Sequence, residues 1–332
     1  LGRAAARTRA RTRGEYPAPV AILAVLRHAP GRSRSEAMRV EREWAADLLI
    51  GPVCRNLVRA SRLVRPSAVE LSATFPIERL QIVGTEDPAA ELAELASRQG
   101  LEVRLRDNDP AALAGLLRRV RARIAGRAAR EAPPAVEAQF ARLHAGLEPA
   151  GLARADLAVE LVAEDLDVRR RVYGELEVRM RPDAVLATGS TTLGVDELAA
   201  GLAHPERFVG LRFAPAPRPL VEVVRGARSA DAAISAAAAL VRRLGRIPVI
   251  VRDTPGFAVG RVAMAGMREA LHLLEDGYRL ADVDAALRGF GMAAGPFEAM
   301  DEMGLAAAAA LLSTLARAFP GRFAPAPMLE AL

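Results

Sequence analysis

The run Gly84-Thr85-Glu86-Asp87-Pro88-Ala89 follows a short apolar stretch, Leu80 to Val83, and opens a segment with Ala89, Leu92, Ala93, Leu95 and Ala96 at helical spacing. A glycine turn between strand and helix can hold a pyrophosphate, because the N–H groups at a helix start favour anions and glycine lets a phosphate approach closely. Here the first of the usual three glycines stands, Gly84, with Ala89 at the third position. Glu86 occupies the place where backbone would touch phosphate, and a carboxylate there costs on the order of a few kcal/mol at an effective dielectric of about 20. Asp87 adds a second like charge. Asp107 ends the next strand candidate about 20 residues on, where a ribose-binding acid is expected. A competing reading needs no ligand: Asp87 is a favourable helix cap and Pro88 a favourable first helical residue. On this motif alone, a structural turn is favoured over a dinucleotide site.

Other reactive residue types are sparse. His28, His144, His204 and His272 fall on no metal-ligand spacing with carboxylates, so no metal is expected. Cys54, the one cysteine, can form neither an internal disulfide nor a thiolate metal site, and it reads as an inert buried thiol in a reducing compartment, the cytoplasm. The formal charge of +6 raises nucleic acid as a partner, but lysine is absent and arginine recurs with alanine throughout, which is compositional bias before it is a binding patch. The basic run Arg3 to Arg13 lacks interleaved aromatics, and no nucleic acid partner is expected.

The elements that position these residues follow from hydrophobic spacing. Leu80–Val83, a helix over 88–99 and a strand at Leu101–Leu105 form the start of a βαβ unit, which implies a layered α/β sheet. Further strands are predicted at 157–162, 184–187, 208–213, 220–224 and 248–251. Beyond Asp253 the periodicity is helical, over 260–275, 280–287 and 305–318. Residues 19–65 read as two or three helices broken at 28–31 and 51–52, after a low-complexity start of thirteen residues.

The chain has 332 residues, 51% of them hydrophobic, which excludes a disordered chain and allows two domains. Its most apolar stretch, Leu305–Ala316, is far short of the ~20 residues of a membrane span. No secretory signal is read, since the basic start lacks an apolar core and cleavage site. The chain begins at Leu1 inside a basic run and ends within an apolar helical pattern, so it reads as a fragment of a longer polypeptide. Apolar faces around Leu305–Leu315 would then lack a partner repeat and drive homo-oligomerisation.

From Ala155 to Leu305 the sequence resembles the 3-hydroxyacyl-CoA dehydrogenase family. The resemblance is carried by Ala155-Asp156-Leu157 with Glu160 and Glu164-Asp165-Leu166, and by Pro182-Asp183-Ala184-Val185-Leu186-Ala187-Thr188. It continues in Pro205-Glu206-Arg207-Phe208-Val209-Gly210-Leu211, Leu220-Val221-Glu222-Val223-Val224-Arg225-Gly226, Arg252-Asp253-Thr254-Pro255-Gly256-Phe257 and Gly295-Pro296-Phe297-Glu298. Thr12 to Pro19 and Glu41 to Leu49 resemble the hydratase–dehydrogenase junction in the multifunctional α subunit of the fatty-acid oxidation complex.

The resemblance implies an α/β fold: a Rossmann-like sheet with helices on both faces, followed by an all-α C-terminal domain and preceded by linker helices. It divides the chain into an Arg-rich start with linker helices at 1–75, an NAD-binding domain at 76–252 and a truncated helical domain at 253–332. It also implies NAD-dependent hydride transfer from (S)-3-hydroxyacyl-CoA to give 3-oxoacyl-CoA, an oxidoreductase step of fatty-acid β-oxidation. An acyl-CoA thioester substrate and a thiolase subunit are the implied partners. Gly84, Asp107, Glu164 and Arg169 are the implied cofactor residues, and the basic residues Arg118, Arg119, Arg121, Arg123, Arg127 and Arg130 read as a solvated face or as partners of coenzyme A phosphates.

The catalytic positions depart from the family's pattern. Its histidine stands in Gly-Leu-His-Phe-Phe-Asn-Pro, whereas this chain reads Gly210-Leu211-Arg212-Phe213-Ala214-Pro215-Ala216. Arg212 therefore stands at the histidine position, and Glu222 remains at that of its glutamate partner. The substrate turn is Gly189-Ser190-Thr191-Thr192, in which Thr191 still offers a hydroxyl, and Gly260 stands where an asparagine is expected. Arginine, with a pKa above ~12, cannot serve as a base. Arg212 and Glu222 read as an ion pair. The expectation is an impaired enzyme whose NAD binding is weakened by Glu86 and Asp87; the alternative is a non-catalytic acyl-CoA-binding or assembly subunit.

Overall fold

Short Val-, Ile- and Leu-rich runs bounded by turn residues become the strands of one sheet. The computed structural model describes residues 2–64, 77–86, 88–128, 133–213, 219–323 and 328. Its strands are β1 Arg79–Val83, β2 Glu102–Arg106, β3 Leu143–Gly146, β4 Leu157–Glu160, β5 Val185–Thr188, β6 Phe208–Phe213, β7 Leu220–Arg225 and β8 Ile247–Arg252. The expected domain boundary at 75/76, Asp87, Arg130 and residues 329–332 lie outside the described residues.

The strand order is β3-β2-β1-β4-β5-β6-β7-β8, parallel from β3 through β6, antiparallel between β6 and β7, and parallel again between β7 and β8. The order turns back at β1, which lies between β2 and β4, and a crevice forms outside the carboxyl ends of strands at such a reversal. Helices Pro88–Arg98, Pro110–Ala128 and Asp231–Arg243 bury Leu92, Leu116, Val120 and Leu240 against one face. Helix Leu166–Arg179 buries Tyr173 and Leu176 on the other, with Ala158, Leu186 and Phe208. Helices therefore cover both faces, as the sequence implies.

Among the elements that sequence reasoning misses are a strand and a helix. β3 reads Leu143-His144-Ala145-Gly146, a short edge strand whose residues after Leu143 are exposed, so it lacks an apolar run. Helix Pro296–Met303 starts at a Gly-Pro pair, and proline at the first helical position is a start signal rather than a break. With helices Val259–Glu275, Leu280–Phe290 and Leu305–Ala318 it forms a second cluster around Met264, Met300, Leu311, Leu312 and Leu315. The apolar face expected to stand open is filled at Leu311, Leu312 and Leu315, which are buried within the chain itself, while Leu305 is exposed. Among the described residues no single helix is long and apolar enough to cross a membrane; Pro296–Met303 and Leu305–Ala318 reach that length only together, bent by 103°.

The chain divides into the units Leu1–Ser67 and Ala68–Leu332. The first contains helices Gly2–Thr12, Pro17–His28, Arg34–Ile50 and Pro52–Val64. Its Arg-rich start is a helix and not a low-complexity linker, because alanine and arginine are both strong helix formers. Ser33 and Glu36 cap the third helix reciprocally. Cys54 is half-buried, more open than its expected place as a buried thiol.

Two glycines show where the backbone is constrained. Gly84, with φ +101°, brings β1 so close to the end of β4 that a Cβ would stand 2.1 Å from the Leu161 carbonyl oxygen. Gly174, on the exposed side of helix Leu166–Arg179, has nothing within 4 Å of such an atom. Gly84→Ala is expected to destabilise by about 2–4 kcal/mol through strain and collision. Gly174→Ala should stabilise by about 0.5–1 kcal/mol through helix propensity. Thermal unfolding of the two variants checks this, and shifts of the same sign would contradict it.

Candidate functional site

β4 ends in a carboxylate that no water reaches. Glu160 is fully buried, and its Oε2 accepts from Arg169 Nη1 at 2.8 Å, from the Tyr173 hydroxyl and from Thr188 Oγ1, while Oε1 accepts from the Val162 N–H. Arg169, only 2% exposed, also donates to the carbonyls of Val162 and Ala163. Burial pushes Glu160 above the usual carboxylate range, although Arg169 and the hydrogen bonds pull it back. Burial also opposes the Arg169 charge, but Glu160 and Glu164 outweigh it and hold its pKa above the ordinary value. Tyr173 is driven well up by burial and the adjacent carboxylate.

This pair fixes the loop after β4, and the loop presents Glu164. Its carboxylate lies 3.5 Å from Arg169 Nη2 and accepts from Ser190 Oγ, the Thr191 N–H and Thr191 Oγ1. The turn after β5 is thereby tied to the loop after β4. Thr191 directs its hydroxyl proton to Glu164, leaving its oxygen lone pairs as acceptors.

Arg212 on β6 and Glu222 on β7 are direct partners in the antiparallel register. The expected ion pair forms, with Nη1 3.2 Å from Glu222 Oε2. The other carboxylate oxygen accepts from the Ala258 and Val259 N–H groups at 2.8 and 2.9 Å, at the start of helix Val259–Glu275. A helix start favours an anion, so Glu222 is held from two sides. Phe257, buried at φ +50°, lies under the guanidinium with 5.5 Å from Cζ to the ring centroid. Burial lowers the pKa of Arg212, with Glu222 and Glu164 acting the other way.

These groups meet at a cavity of about 870 Å³ whose wall includes Glu86, Arg119, Glu164, Arg169, Thr191 and Arg212. Glu164, Arg169, Thr191 and Arg212 are brought together, with Glu222 behind Arg212. Gly84 shapes the adjoining turn and does not itself line the cavity. Asp107 follows the last residue of β2 and does not line this cavity, and its Oδ1 accepts from the Asp109 N–H. His204, near Arg212 in sequence, is exposed and pairs with Glu206. Among the described residues no group of His, Cys, Asp and Glu could hold a metal.

Further wall residues come from the basic helix and from the C-terminal helices. Arg119 and Arg123 reach the cavity, and Arg119 donates to the Thr85 carbonyl in the Gly84 turn. Arg123 lies 3.7 Å from Glu91 and Arg127 lies 3.4 Å from the buried Glu94. The basic helix is therefore not wholly a solvated face, and its spacing of four was the available signal. Glu302, Met303, Ala307 and Leu311 close the cavity from the C-terminal helices, and no motif marks them.

An NAD-sized ligand fits what is present. The cavity lies beside the positive-φ turn at the sheet's reversal, has arginines on its wall and joins the Glu164–Thr191 corner. Comparison with known proteins agrees. Residues 80–254 match the family described as 3-hydroxyacyl-CoA dehydrogenase, NAD binding domain, and residues 256–332 match 3-hydroxyacyl-CoA dehydrogenase, C-terminal domain. The chain is similar to 3-hydroxybutyryl-CoA dehydrogenase from Escherichia coli, with 32% identity and a TM-score of 0.72 over 78% of this chain and 56% of that one. It is similar to FadB2 of M. tuberculosis, with 26% identity and a TM-score of 0.73 over 77% of this chain and 93% of that one. It shares the fold of the dehydrogenase part of multifunctional enzyme 1 from C. elegans, with 20% identity and a TM-score of 0.55 over 77% of this chain and 59% of that one. Sheet and helical end are both covered by these family matches, so the chain belongs to the 3-hydroxyacyl-CoA dehydrogenase family, with NAD as its expected cofactor.

Proposed function

We propose that this chain binds NAD and a coenzyme A thioester in the cavity, and that its oxidation of 3-hydroxyacyl-CoA to 3-oxoacyl-CoA is strongly impaired. The observation that carries this reading is Arg212 buried against Glu222, where the family's pattern calls for a proton acceptor. NAD supplies a hydride acceptor when bound. The chain's residues must do the rest: Glu164 and Thr191 orient, Arg119 and Arg123 face phosphate charge, and the helices at 296–318 limit water. Asp107, directly after β2, is the proposed ribose acid. No group at Arg212 can take the hydroxyl proton, because a guanidinium paired with a carboxylate remains protonated. Loss of a general base commonly costs ~10²–10⁴ in rate.

The proposed domains are the linker helices to residue 75, the NAD domain at 76–252 and the helical domain from 253. The proposed setting is fatty-acid β-oxidation in the cytoplasm, with a thiolase as partner and this chain acting within a longer or oligomeric assembly. The resemblance of residues 12–49 to a hydratase–dehydrogenase junction supports that setting. A second reading, a non-catalytic acyl-CoA-binding subunit, is favoured by the closure of Glu222 on both sides, which leaves it no free oxygen for chemistry.

Two expectations separate these readings. Glu86 is exposed on the cavity wall with Arg119 beside the same turn, so its charge is partly offset. Calorimetric titration should show NAD binding strengthened about tenfold by Glu86→Gly and weakened about tenfold by Arg119→Ala, both effects shrinking at high salt. Unchanged affinity in both variants would remove the turn from the cofactor site.

For turnover, wild type, Arg212→His and Glu86→Gly should each oxidise 3-hydroxybutyryl-CoA weakly. The double variant should exceed the product of the single effects, since base and cofactor serve one transition state. Robust turnover by the unaltered chain would refute the impairment. Thioester binding without turnover in any variant would establish the second reading.

A further inference from the structure

A guanidinium carries five N–H donors in a flat fork. At Arg212 one arm of that fork has a partner, since Nη1 donates to Glu222 Oε2 and the side chain makes no other hydrogen bond among the described residues. Glu222 accepts that one arm through Oε2, and its other oxygen is held by the Ala258 and Val259 N–H groups. The 11% of the Arg212 side chain that is exposed lies on the cavity wall. Its pKa is lowered by burial in spite of Glu222, the signature of a desolvated cation short of anionic partners.

Gly260 makes this placement possible. A Cβ there would stand 3.0 Å from Arg212 Nη1 and 3.5 Å from Nη2, so a larger residue would push the guanidinium aside. Arginine at 212 and glycine at 260 are thus one arrangement. The wall also carries glutamates: Glu164 is engaged by Arg169 and the 190–191 turn and Glu91 by Arg246 and Arg123, while Glu86 and Glu302 are exposed on it. A neutral carbonyl would use a single donor, whereas a carboxylate matches the two-pronged geometry and supplies the missing charge.

We infer that Arg212, given room by Gly260, is a carboxylate-binding position, so that the thioester this cavity selects carries a carboxylate on its acyl part. This inference rests on the coenzyme A thioester reading above. With NAD present, the full chain is titrated calorimetrically with malonyl-, succinyl- and glutaryl-coenzyme A, and with butyryl-coenzyme A as the uncharged control. At least one dicarboxylate half-thioester should bind tenfold or more tightly than the control. That preference should vanish in Arg212→Met, with folding checked by thermal unfolding, and shrink in Gly260→Ala, which keeps the charge but crowds Nη1. Should Arg212→Met not fold, Arg212→Gln, which removes both the charge and the fork, serves in its place. Equal affinities in the unaltered chain, or a preference that survives loss of the fork, would overturn the inference. If no coenzyme A thioester binds, the thioester reading fails separately, and free succinate and glutarate decide the anion position. Saturable binding lost with Arg212 sustains it, and no binding ends it.

Discussion

Removing a carboxylate and a guanidinium from water costs several kcal/mol per ion, and their attraction offsets that only when the remaining donors and acceptors are also satisfied. Glu160 and Arg169 meet that condition. Every nitrogen of Arg169 has an oxygen partner: Nε the Ala163 carbonyl, Nη1 Glu160 and Thr188, Nη2 the Val162 carbonyl and Glu164. These partners come from the end of β4, the loop after it and the end of β5, so one buried cation sets the spacing of three backbone segments. Glu164 and Thr191 inherit their places from it. Arg169 is thereby a positioning residue more than a surface that a ligand touches.

The same pairing chemistry gives a different outcome across the cavity. Glu222 is saturated by Arg212 and by a helix start, but Arg212 is not saturated by Glu222. The asymmetry arises from geometry: cross-strand register places the two residues opposite each other, and the Gly256–Phe257 turn, left-handed at both residues, delivers the Ala258 and Val259 N–H groups to the far oxygen. A closed network rigidifies. An open one retains a donor edge toward the cavity.

The strands were legible because each is an apolar run between turn residues; β6 occupies the predicted 208–213, and β8 ends at Arg252, where the pattern changes. β3 was not, since an edge strand with one apolar face residue carries no such signal. The helix over 166–179 contains Arg169, Arg170 and Arg171 in succession, and nothing in their identity says that the first alone is buried. Its spacing does: Arg169, Tyr173 and Leu176 share one helical face, and two of the three are apolar in bulk. The replacements at 212 and 260 were visible one at a time. That they touch required a strand and a helix from different parts of the chain, a relation that spacing along the sequence does not encode.

Reading the two replacements together alters what kind of change they represent. An arginine at 212 with a larger side chain at 260 would be crowded at Nη1, where a Cβ alone would stand 3.0 Å away. With glycine at 260 the guanidinium lies over the Phe257 ring, 5.5 Å from Cζ to the centroid, and within reach of Glu222. A buried cation with four of its five donors unpaired among the described residues is costly to maintain unless something uses them. Simple decay of an active site gives no reason for a buried charge and a matching gap to coincide. An anionic ligand would supply that reason, and on the proposed reading the loss of a proton acceptor and the gain of an anion position would be the same event.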